Sequence, residues 1–138
     1  MSDFIKHGDC DVHWDGNILV VNLSGLFNQE GVYEANLKVK EAVANKPAEH
    51  WARIDILATT ETLAPTGLMF DGFVAHLKML KKHGCQILAF VGGNVIARDS
   101  SKVMCEKAKL TYQSCTDLAQ AKYLCNAHLT SLNEAQVD

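Results

Sequence analysis

Positive charge is not in surplus in this sequence of 138 residues, whose formal net charge is −3. Nucleic acids and anionic lipid surfaces select a basic field, so the balance argues against nonspecific binding to either. No apolar run approaches the roughly 20 residues that cross a bilayer. The opening Met1-Ser2-Asp3-Phe4 lacks both the basic start and the apolar stretch of a secretory signal. Internal repeats and low-complexity tracts are also missing. The five cysteines (Cys10, Cys85, Cys105, Cys115 and Cys125) include no CxxC pair. An odd number so spaced suits neither a disulfide framework nor a zinc knuckle, so reduced thiols in a cytoplasm are expected. What is present is ordinary for a folded domain: 48 % hydrophobic and 21 % charged residues. Disorder over most of the length is excluded, and the length suits one domain spanning 1–138, with its core at about 10–130 and a frayed tail from about Asn133.

Hydrophobic spacing then divides the chain. Residues 9–14 read as a short strand, Asp15-Gly16-Asn17 as a hairpin turn, and 18–23 as the returning antiparallel strand, apolar enough to be covered on both faces. Asn28 is placed to cap a helix whose stripe is Val32, Ala35, Val39, Ala42 and Val43, with Tyr33 and Leu37 in a second apolar patch. Asn45-Lys46-Pro47 stops it. Residues 51–58 alternate as a strand, Ala52, Ile54 and Ile56 facing one way and Arg53 and Asp55 the other. A polar loop leads to Thr66, a candidate cap for a helix to about Lys82, which Gly84 closes. Residues 85–91 are the clearest buried strand. Asp99 or Ser100 is expected to cap a third helix, residues 110–114 to form a short strand, and Thr116 or Asp117 to start a last helix. The order β-β-α-β-α-β-α-β-α implies right-handed crossovers and a small, mostly parallel mixed sheet of α/β class.

The junction after the central strand is the most informative stretch. Asp55-Ile56-Leu57 ends the strand, a polar loop follows, and Ala64-Pro65-Thr66-Gly67-Leu68 opens an apolar helix. With the element order around it, this junction resembles the STAS domain family, which includes the SpoIIAA-like anti-sigma-factor antagonists. That family carries an Asp near the strand end and Asp-Ser-Ser-Gly-Leu at the helix start. Gly67 and Leu68 match its Gly-Leu, Thr66 keeps the hydroxyl of its second Ser, and Asp55 matches its strand Asp when one extra loop residue is allowed. Arg98 falls where the family has an Arg opening the third helix. The resemblance implies the fold and a binding surface. It does not carry over the family's phosphorylation switch: the phosphoacceptor Ser and its neighbouring Asp are replaced by Pro65 and Ala64. Thr66 is the one hydroxyl inside the motif. It is either a helix cap worth about 1 kcal/mol or a phosphoacceptor at a helix N-terminus, where backbone N–H groups favour an anion.

Other motifs are thinner. Gly92-Gly93-Asn94 lacks the rest of a phosphate-cradling loop and reads as a tight turn. Cys10 and His13 fall on opposite faces of a strand, and His76 and His83 share a helix face with no carboxylate to complete a zinc site, so the histidines read as solvated surface groups and no metal is expected. No GxSxG elbow is present, and Cys85 begins a buried strand where thiols are inert, so no enzyme activity and no cofactor is expected. Met69, Phe70, Phe73, Leu77 and Leu80 give the second helix a wide apolar arc, either core or docking patch.

The expected function is therefore regulation by binding a protein partner. The expected surface is at the C-terminal ends of the strands, comprising Asp55, Thr59, Thr60, Glu61, Thr66, Gly67, Leu68, Met69, Gly93 and Arg98. The alternatives are a carrier or sensor of a small apolar, lipid-like or anionic ligand beside the second helix, and a regulator switched by phosphate on Thr66. Tyr33 and Leu37 offer a patch for a homodimer.

Overall fold

A computed structural model of the chain describes residues 8–25, 27, 29–57 and 68–137. Its elements are β1 (Asp9–Asp15), β2 (Ile18–Ser24), α1 (Gln29–Ala44), β3 (Trp51–Leu57), α2 (Leu68–Lys82), β4 (Cys85–Gly92), α3 (Val95–Ala108), β5 (Thr111–Cys115) and α4 (Leu118–Val137). The five strands form one sheet in the order β1-β2-β3-β4-β5. The β1–β2 hairpin is antiparallel, with Gly16 at φ +59° in its turn, and every later pairing is parallel. This is the α/β architecture and element order expected from the sequence.

The strand order explains the layers. Each parallel crossover moves one strand along the sheet in the same direction, and each is right-handed, so α1, α2 and α3 must all lie on one face. They cover Leu19, Val21, Leu88 and Phe90. α4 follows the edge strand and folds back over the other face, where Ala121, Cys125 and Leu129 pack on Ile18, Val20, Ile54, Ile87 and Ala89. Every central strand is thus covered twice, as the apolar runs of β2 and β4 require. Trp14 and Trp51 meet edge to face at 5.3 Å between ring centres, and their indole N–H groups donate to the carbonyls of Ala42 and His83, each at 3.0 Å. These two bonds tie the ends of α1 and α2 to the sheet.

Several boundaries differ from expectation. α3 starts at Val95, capped by Asn94, whose Oδ1 accepts from the Ala97 N–H at 2.8 Å. Asp99 and Ser100, expected as caps, lie inside the helix because the turn before it ends on a residue that already caps. β5 runs one residue later than expected, since α3 closes through Lys109 at φ +59° and Leu110 is spent in that closure, its N–H donating to Cys105 O at 2.9 Å. α4 continues past Asn133 to Val137. No Gly or Pro lies there, and Ala and Gln favour helix. Asp117 does cap α4, accepting from the Gln120 N–H at 2.8 Å. Asn28, the expected cap of α1, lies outside the described residues. No helix among the described residues is long and apolar enough to cross a membrane.

Gly84 ends α2 at φ +108°, and a Cβ there would stand 1.8 Å from the Glu49 carbonyl oxygen. Gly84→Ala therefore combines left-handed strain with a backbone clash. A loss of about 3 kcal/mol or more is expected in urea unfolding; an unchanged midpoint would contradict the geometry.

Candidate functional site

β3 carries two opposite charges two residues apart, so both side chains leave the same face of the strand. That face is the one under α1, α2 and α3. Arg53 and Asp55 are each only 2 % exposed, and the Arg53 Nε donates to Asp55 Oδ1 at 2.7 Å. The guanidinium sits 5.5 Å from the centre of the Phe73 ring on α2, within cation–π range. Its Nη1 lies 3.1 Å from Nε2 of His76, one turn further along the helix. Arginine keeps its protons, so Nη1 donates and His76 Nε2 accepts; the imidazole proton is then on Nδ1.

His76 was expected on the surface but is 5 % exposed, because α1 lies against the flank of α2 that carries it. Burial, then the Arg53 and Lys40 charges, pushes its pKa down to about 3. It is a neutral ring at physiological pH. Its Nδ1 is buried and has no hydrogen-bond partner among the described residues, which is costly for a polar atom.

A cavity of about 110 Å³ opens beside the ion pair, at the end of the sheet where β2, β3 and β4 finish. Leu23, Phe27, Leu57 and Phe90 line its sheet side, and Val32, Met69 and Met104 its helix side. A groove of about 330 Å³ continues from it between α1 and α2. Tyr33 and Leu37, at 65 % and 39 % exposed, form one bank of this groove, and His76 lines it as well.

The C-terminal edge of the sheet has a second feature. Gly92 and Gly93 turn the chain at φ +81° and +67°, close against Leu57 and Phe90. Arg98 Nη1 donates to Gly93 O at 3.4 Å, and Tyr112 Oη donates to Arg98 O at 3.1 Å. The turn is thereby fixed, and the first residues of α3, Val95 and Ile96, stand out at 60 % and 63 % exposed.

Of the residues expected to form the binding surface, Asp55 is instead a buried wall of the cavity. A carboxylate at that depth needs the Arg53 charge beside it, which withdraws it from any docking face. Met69 also lines the cavity, while Gly93 and Arg98 sit together at the fixed turn. Leu68 is the first residue of α2; its side chain, and Thr59, Thr60, Glu61, Thr66 and Gly67, lie outside the described residues. Arg53, Phe73 and His76 were not singled out as site residues. The signal for the first was available: two charges spaced i, i+2 in a strand otherwise apolar.

All five cysteines are free and buried. Burial pushes the thiols of Cys85, Cys105 and Cys125 up to about 12 and raises those of Cys10 and Cys115, so they are protonated at neutral pH. Among the described residues no group of three His, Cys, Asp or Glu side chains is arranged to hold a metal ion.

No family model matches the sequence, and no curated protein matches it either. Among solved structures, the anti-sigma factor antagonist SpoIIAA in its unphosphorylated form is similar. The likeness covers 84 % of this chain and 96 % of that one, with a TM-score of 0.53 and 11 % identity. The chain therefore has a SpoIIAA-like, STAS-type fold.

Two outcomes follow from the buried cluster. Asp55→Ala leaves an unpaired guanidinium in the core and is expected to cost about 3–5 kcal/mol, whereas Arg53→Met with Asp55→Leu should recover most of it. Urea unfolding of both variants decides this. His76 also makes the fold acid-sensitive. Its folded pKa lies below the unfolded value of 6.5, so the unfolded chain binds the extra proton between pH 6.5 and about 3. Stability from this group is complete above pH 6.5 and falls as pH drops through that window, by about 1.4 kcal/mol per pH unit. His76→Gln keeps an acceptor for Arg53 without titrating. Its stability profile between pH 6 and 4, read by chemical unfolding, should be shallower than that of the parent by about one proton's worth.

Proposed function

We propose that this chain is a non-enzymatic regulatory module that binds a protein partner through the C-terminal edge of its sheet. The observation that carries the reading is the apolar pair Val95 and Ile96, left exposed on a turn that is itself held rigid by Gly92, Gly93 and Arg98. Exposed apolar side chains on a fixed scaffold lower the entropy cost of docking. We assign to the same surface the segment that follows β3 in the sequence, with Thr59, Thr60, Glu61, Thr66 and Gly67, and the start of α2, with Leu68 and Met69. SpoIIAA, whose fold the chain shares, is an antagonist of an anti-sigma factor, and such antagonism works by engaging another protein. Free thiols in all five positions suit a reducing cytoplasm, where we place the protein.

The test is affinity capture from extract of the source cells with the full chain as bait. Val95→Asp with Ile96→Asp should remove the specific partner, because two buried charges at an interface centre cost several kcal/mol. Tyr123→Asp, at an exposed position on α4 over the opposite face, should keep it. Retention of every partner by the first variant would overturn the reading.

A further inference from the structure

One polar atom in the core has no partner among the described residues, and the side chain that carries it lines open space. His76 is nine-tenths buried, lines the groove between α1 and α2, and carries a buried Nδ1 with no partner among the described residues. Because Nε2 accepts from Arg53, Nδ1 bears the proton and needs an acceptor. Neither the protein fold nor the proposed docking edge uses it. The groove supplies the rest of a binding site. Among the described residues Lys40 is its one charged lining residue, and no carboxylate lines it. Toward the sheet edge it runs into the apolar cavity through Val32, Asn36, Met69 and Phe73, which line both.

We infer that this groove and cavity form a binding site for an aliphatic monocarboxylate, a fatty acid of medium length. Its carboxylate accepts the hydrogen bond of His76 Nδ1–H and faces the Lys40 ammonium; its hydrocarbon tail passes Phe73 and enters the cavity among Leu23, Leu57, Phe90 and Met104. The charges agree with this polarity. Arg53 and Asp55 neutralise each other, so Lys40 sets the sign of the groove. The dimensions agree as well. Met69, at the cavity, and His76, at the head-group end, are seven helical residues apart, or about 10 Å along α2, and the groove volume lies at the lower end of small-ligand pockets, about 300 Å³ and up. This inference is independent of the docking edge around Val95.

Isothermal titration of the full chain at neutral pH, with decanoate, decanol and decylamine in turn, tests it. Decanoate is expected to saturate a single site, decanol to bind several-fold more weakly and decylamine not at all. His76→Phe should weaken decanoate about tenfold through loss of a charge-assisted hydrogen bond. Lys40→Glu changes an exposed position, needs no core rearrangement, and should weaken it several-fold. Should His76→Phe unfold, the parent protein still decides: decanoate must shift the His76 Nδ1 resonance. Absence of saturable decanoate binding, equal affinity for all three amphiphiles, an unmoved Nδ1 resonance or undiminished binding by Lys40→Glu would each overturn the inference.

Discussion

An ion pair drawn out of water sits under the helices of this fold, and its surroundings have to answer to it. Separating Arg53 and Asp55 from solvent costs several kcal/mol per charge, which their contact offsets only when the geometry holds. β3 fixes that geometry by placing both on one face of one strand. The remaining guanidinium hydrogens still need acceptors, and the apolar stripe of α2 supplies one by carrying His76 among its buried positions. Phe73 offers its ring face to the same cation. The angle and height of α2 on the sheet are therefore set by polar contacts as well as by Val74, Leu77 and Leu80.

Topology decides where that cluster opens. Three successive right-handed crossovers put three helices on one face, all starting at the edge where the parallel strands end. Helices so aligned leave a gap where their first turns splay from the sheet, and the cavity lies there. The same edge bears the Gly92–Gly93 turn and the exposed start of α3. One end of the molecule thus carries both an interior hollow and an exterior apolar tip, and Leu57 and Phe90 touch both, lining the first and packing under the second. The opposite face is covered by α4.

The element order was legible because its punctuation is local. Asp15-Gly16, Pro47, Gly84 and the run of β4 each declare themselves within a few residues. The facing of Arg53 and Asp55 away from Ala52, Ile54 and Ile56 was legible too, from alternation alone. What alternation does not say is which face three helices will cover, and so Asp55 was read as surface when it is core. His76 failed for the related reason that periodicity ranks positions around a helix without naming its neighbour. Asp99 and Ser100 are good caps in isolation, which sets the expected start of the third helix too late; Asn94 wins because two glycines before it have already turned the chain. The family motif itself, from Ala64 to Gly67, pointed to the fold correctly through a stretch lying outside the described residues.

Among the described residues α4 alone covers the second face of the sheet, and it follows every strand in the chain. During synthesis Ile18, Val20, Ile54, Ile87 and Ala89 must therefore wait, wet, until the last helix leaves the ribosome. Translation passes through an intermediate whose three-helix side is ready while its reverse is a bare β surface, the kind of surface on which chaperones act and aggregates nucleate.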